Sequence, residues 1–302
     1  MRPILPPIPL IIRTLALCGA LFCAGRAAPA AAQSAVAVQK NAAEARYYES
    51  LVEYEKIPRS HVAAETALAA ARSAWALSLS DRAAEEFDLA LRDKNLGEAQ
   101  RAKILLSRGI VEYQEGRQQS AALFAQKITE LLTQPGPLRS RAYLLWGQAL
   151  LAQQSYAAAE EKLSFALTEA PPDDRAELHF QLGECQFNLG KYDEARRHFE
   201  AVPVHTERTP AAIRYLAKIA LQTGGAQIAA FWLNKGREEF PDHFLDSWVD
   251  YALTQVAISQ NDRGMVSSLR ENAAAKYPPT DSWVILLNAA AETFQWKSAG
   301  GQ

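Results

Sequence analysis

QLGECQFNLGKYDEARRHF, residues Gln181–Phe199, sets small and aromatic residues at fixed offsets: Gly183, then Gly190-Lys191-Tyr192, then Ala195, then Phe199. The same order stands upstream in YLLWGQALLAQQSYAAAEEKLSFAL as Gly147, Tyr156, Ala159 and Leu163. Further upstream it continues as Gly109, Gly116 and Ala121, and downstream as Ala217, Gly224, Ala229, Leu233 and Pro241. Equivalent positions recur about every 34–38 residues, the period of a stacked array of helical hairpins.

Each position has a physical job in such a hairpin. A tiny residue on the first helix (Gly109, Gly147, Gly183, Ala217) and a small one on the second (Ala121, Ala159, Ala195, Ala229) predict a close helix crossing. Gly116, Gly190 and Gly224 fall where the chain must turn. Tyr156 and Tyr192 open the second helix and pack back on the first. Leu163, Phe199 and Leu233 are expected to bury against the next hairpin. Pro171 and Pro241 end the second helix. Thr209-Pro210 reads as a hydroxyl cap followed by a helix-starting proline, and Asp173 and Asp174 as capping acids.

These residues resemble the tetratricopeptide repeat, most closely over 139–171 and 175–203 and less so over 100–133 and 210–241. The aromatic that usually opens the first helix is replaced by Leu105, Tyr143, His179 and Ile213. The resemblance implies an all-α, right-handed α-solenoid of helix-turn-helix hairpins. Degraded hairpins are expected at 61–94 and 243–278, an opening helix at Asn41–Lys56 and a capping helix at 280–297. That makes about six hairpins over 33–302, with no domain boundary between them.

Residues 1–32 read differently. Arg2 and Arg13 precede a short apolar core, Thr14–Gly25, and Ala30-Ala31-Ala32 before Gln33 has the small-residue pattern of a signal-peptidase site. The core falls short of the roughly 20 apolar residues of a membrane span, although Ile4–Ile12 leaves an uncleaved anchor as an alternative. Cys18 follows Leu17 and Cys23 follows Phe22, which does not suit lipidation. The reading is a cleaved export signal, a periplasmic mature chain and no span after cleavage.

The 32 basic and 34 acidic residues of the whole chain lose Arg2, Arg13 and Arg26 on cleavage, leaving a net charge of about −5. That argues against a nucleic-acid partner, which would need a basic face. Of three cysteines only Cys185 remains, so no disulfide within the chain is expected. It reads as a small buried hydrophobe. His61, His179, His198, His205 and His243 show no metal-binding helical spacing, and His179 fills the repeat's aromatic slot. Adjacent acids such as Glu160-Glu161 point about 100° apart on a helix and do not converge on one bond. Arg196-Arg197-His198 reads as a solvated basic face. No nucleophile motif, phosphate loop or zinc pair is present, so no catalysis, cofactor or metal is expected.

In the family the first helices line an inner wall where peptides bind. Carried over position by position, the resemblance implies a wall of Lys103, Leu106, Ile110 and Tyr113, then Arg141, Leu144, Gln148 and Leu151. The next two helices would add Glu177, Phe180, Glu184 and Phe187, then Arg214, Lys218 and Leu221. Leu106, Leu144 and Phe180 would form one apolar row, and Tyr113, Leu151, Phe187 and Leu221 another. Leu or Phe stands where family members that grip a C-terminal carboxylate carry a cation and Asn, which speaks against that mode. The expected function is a non-catalytic adaptor for a protein segment in an envelope assembly, secretion or export machine. The alternatives are an accessory subunit of a cell-wall or polysaccharide enzyme complex, and self-assembly through Trp283, Phe294 and Trp296.

Overall fold

The computed structural model describes residues 30–300, and the expected export signal falls largely outside them. Those residues divide into two compact units, one ending at Leu131 and one beginning at Leu132, where the sequence reading expects a single array.

The first unit holds α1 (Ala30–Ala43), α2 (Tyr47–Tyr54), α3 (Ala64–Ala76), α4 (Ser80–Ala90), α5 (Glu98–Gln114) and α6 (Gln118–Leu131). The opening segment is a helical hairpin, and not the one helix expected at Asn41–Lys56. The chain breaks at Ala45, whose φ is 57°. Four alanines of α3 (Ala67, Ala70, Ala71 and Ala74) are fully buried, which lets its neighbours come close around Val38, Leu51 and Phe87. Fully buried Glu86 accepts hydrogen bonds from the Tyr54 hydroxyl and from Arg59 Nη1, the latter at 2.6 Å. Buried Glu112 is held between Arg108 and Arg117. Burial alone would raise its carboxyl's pKa, but the two guanidinium bonds bring it below the ordinary value.

The second unit holds α7 (Pro137–Ala152), α8 (Tyr156–Glu169), α9 (Arg175–Asn188), α10 (Tyr192–Glu200), α11 (Thr209–Gln222), α12 (Ala226–Glu239), α13 (Ser247–Ser259), α14 (Arg263–Lys276) and α15 (Ser282–Ser298). The described residues therefore form seven hairpins and a last helix. That helix buries Val284, Leu287 and Ala291. Its outer side exposes Ile285, Leu286 and Trp296.

All seven hairpins turn in the same way. Each has a residue in the left-handed region: Ala45, Ser78, Gly116, Gln154, Gly190, Gly224 or Asn261. The N–H of the next residue bonds the carbonyl five residues back, as in Lys191 N to Gln186 O at 2.8 Å and Ser155 N to Leu150 O at 2.9 Å. This is the Schellman closure of a helix C-terminus. Only three of the seven turns use glycine, so only those three were marked in the sequence.

Three local expectations change. A Cβ on Gly147 would sit 2.5 Å from Leu163 Cγ, and one on Gly183 would sit 2.8 Å from the Phe199 ring. These glycines thus make room for a large side chain of their own hairpin, and the small-on-small crossing is secondary. The Thr209 hydroxyl does not cap α11. It accepts from Thr206 N at 2.9 Å and donates to Pro203 O at 3.0 Å, closing the preceding loop. Asp174 flanks α9 without a capping bond, because its carboxylate is held by Arg141.

Candidate functional site

In the second unit the first helices lie side by side, joined by ion pairs that repeat from hairpin to hairpin. Arg141 of α7 reaches Asp174, just before α9, at 2.7 Å. Arg208, just before α11, donates to both oxygens of Glu177 on α9 at 2.5 and 2.8 Å. Arg214 of α11 reaches Asp246, just before α13, at 2.5 Å. Ser247 of α13 continues the series by donating to Asp281, just before α15, at 2.9 Å. Three charged residues expected to meet a partner, Arg141, Glu177 and Arg214, are thus tied to the neighbouring repeat.

The expected apolar rows also separate. Phe180 is 4% exposed and belongs to the core. It meets Phe199 edge-on at 5.8 Å and Tyr215 at 5.9 Å, with the Arg208 guanidinium 4.9 Å over its ring. Offset on α9 by two helical turns, Phe187 is only half-buried and packs on Tyr192 and Tyr215. Leu144 and Leu151 are half-buried against the core of α8 and α9, and Leu221 against that of α12 and α13. Gln148 is half-buried beside them. In the first unit Lys103 is exposed, while Leu106, Ile110 and Tyr113 are half-buried.

Two titratable groups remain on the α9–α11 wall. Glu184 accepts from the Tyr215 hydroxyl at 3.0 Å, and burial raises its carboxyl's pKa above the ordinary range. Lys218 lies 4.9 Å over Tyr215 and 5.3 Å over Trp248. Burial lowers its ammonium's pKa, and Arg214 lowers it further. The remaining wall therefore mixes half-buried apolar side chains with one acid and one cation set on aromatic rings.

The structure brings together one pair that sequence spacing hides. His179 of α9 and His198 of α10 meet through their Nδ1 atoms at 2.9 Å. Burial lowers both pKa values, so one neutral ring donates to the other. Among the described residues no group of three or more His, Cys, Asp or Glu could hold a metal ion.

Cys185 is fully buried, and burial first, then Glu184 and Glu160, pushes its thiol up to about 12. In a chain with Cys18 and Cys23 replaced by serine, Cys185 should react with a disulfide reagent at pH 8 slower than a free thiol by on the order of 10³-fold. Unfolding should release that reactivity. Complete labelling of the folded chain within minutes would show the thiol to be open.

Models of the tetratricopeptide repeat match residues 68–137 and 150–219. The chain is a tetratricopeptide repeat protein. Solved structures agree on the fold. The C-terminal part of a tetratricopeptide repeat protein from Cytophaga hutchinsonii aligns with TM-score 0.65 at 14% identity, covering 83% of this chain and 98% of its own. The pilF protein of Pseudomonas aeruginosa aligns at 0.56 and 16%, covering 71% and 95%. MamA aligns at 0.50 and 18%, covering 58% and 90%. No curated protein sequence matches. As a tetratricopeptide repeat array the chain is a scaffold for protein–protein interaction. None of its described helices is long and apolar enough to cross a membrane.

Proposed function

We propose that this tetratricopeptide repeat protein is a non-catalytic adaptor, exported to the periplasm, that holds a segment of an envelope protein along the first helices of its second unit. The observation that carries the reading is the wall of α7, α9 and α11. Its repeat-to-repeat ion pairs fix the spacing of the helices, while Gln148, Leu151, Phe187, Glu184, Lys218 and Leu221 stay half-exposed. Apolar side chains at one-repeat intervals with a charge between them suit a peptide with spaced apolar anchors. The charged start, apolar core and small-residue end of residues 1–32 support export.

The test is affinity capture from an envelope extract with the tagged full chain, compared with a Gln148→Glu/Lys218→Glu variant. Neither side chain is fully buried, and unchanged helicity by circular dichroism checks that the variant folds. The expected result is an envelope protein retained by the parent and weakened by about 1–3 kcal/mol in the variant. The captured chain should begin at Gln33. Equal retention by both chains would place the contact elsewhere, and an intact N-terminus would refute cleavage.

A further inference from the structure

The second unit carries another concave surface, on the side of its second helices. Between α10 and α12 lies a cleft of about 380 Å³ floored by Leu216, Ile219 and Ala220 of α11. Its α12 wall is Ile228, Phe231 and Trp232. Ile228 is 52% and Phe231 58% exposed, although both are large apolar side chains. Phe231 stands edge-on to Trp232 at 5.1 Å, which holds the ring upright beside the cleft. The α10 wall is polar: Arg196, Arg197 and Glu200. Arg196 pairs with the exposed Asp193 at 3.0 Å, whereas Arg197 forms no ion pair among the described residues. Lys235 lies outside the lining, 5.5 Å over the Trp232 ring and 4.0 Å from Glu239.

Two of the three residues read from sequence as a solvated basic face, Arg196 and Arg197, therefore form one bank of an apolar cleft with Glu200, while His198 turns to His179. A solvated face does not explain an exposed Phe and Ile on the other bank, and apolar surface of this kind marks a contact. Charge selects the occupant. The lining sets two guanidinium groups against one carboxylate, Glu200, and Arg197 has no ion pair among the described residues, so the rim of this apolar hollow complements one carboxylate beside an apolar anchor. The hollow is large enough for one or two bulky side chains. We infer that this cleft binds a short protein segment in which a large apolar residue, seated on Phe231, is accompanied by an Asp or Glu that pairs with Arg197. The site is separate from the first-helix wall, so one chain could hold two partner segments.

The experiment pans a phage-displayed library of random short peptides on the full chain. Enriched peptides are then synthesised and titrated against the full chain by fluorescence anisotropy. They should combine an aromatic or aliphatic residue with an acid. Arg197→Glu and Phe231→Ala should each weaken them by about tenfold or more, at unchanged helicity because both side chains are exposed. Gln148→Glu/Lys218→Glu should leave their binding intact. Peptides without acids, binding indifferent to Arg197→Glu, or no enrichment at all would overturn the inference. So would a dimer in light scattering that Phe231→Glu abolishes, since the occupant would then be a second copy.

Discussion

Phe180→Ala should destabilise the second unit by about 3–5 kcal/mol, the range for removing a fully buried phenylalanine. The side chain sits where three helices meet. Phe199 of α10 and Tyr215 of α11 both touch it edge-on, and Phe199 and Tyr215 stack face to face at 4.6 Å. Removing Phe180 leaves a hollow these rings cannot close without breaking that stack. Arg208 would lose the ring beneath it while still bound to Glu177. Chemical denaturation followed by circular dichroism should show the second unit unfolding earlier, because repeat arrays lose stability locally. Phe187→Ala, at a half-buried position on the same helix, should cost clearly less. A loss below about 1 kcal/mol for Phe180→Ala would mean that the ring is surface and that the apolar row drawn from the family resemblance exists after all.

That contrast shows where sequence reading reached its limit. The period, the hairpins of the best repeats and the helical ends at Gly116, Gly190 and Gly224 were legible because each rests on a residue type that few other positions would accept. The turn at Ala45 was not legible. Any residue can be held left-handed at moderate cost when the helices on both sides pack well, so Glu44-Ala45-Arg46 read as continuous helix. The wall was legible as a set of positions and not as a surface. Phe180 and Phe187 differ by two helical turns, and only the placement of Tyr215 on the next repeat decides that the first is buried. The ion pairs from Arg141, Arg208 and Arg214 were hidden for the same reason. Their partners lie one repeat away, and a charged residue on a first helix looks the same whether it faces a neighbour or a ligand. The His179–His198 contact spans the two helices of one hairpin, which no single-helix spacing rule detects.

Gly183→Leu should cost about 3 kcal/mol, at the upper end of overpacking penalties, and Gly183→Ala should also destabilise. The alanine variant is the sharper test, because two effects of opposite sign compete. Replacing a mid-helix glycine with alanine ordinarily stabilises by about 0.8–1 kcal/mol. Here the added Cβ would lie 2.8 Å from Cε1 and Cζ of Phe199, closer than carbon atoms approach. The ring cannot swing aside freely, since it is 2% exposed and lies parallel to Tyr215 at 6°. Steric displacement should therefore win by about 1 kcal/mol. Gly264→Ala on α14 is the control, because its Cβ would meet only Asp262 Oδ1 at 3.5 Å, an ordinary contact. That change should stabilise by up to about 1 kcal/mol. Phe199→Leu combined with Gly183→Ala should recover part of the loss, and the coupling in that double-mutant cycle measures the contact directly. If Gly183→Ala stabilises as much as Gly264→Ala, the glycine is not there to admit Phe199, and the spacing of Gly183 and Phe199 that marks each repeat would need another cause.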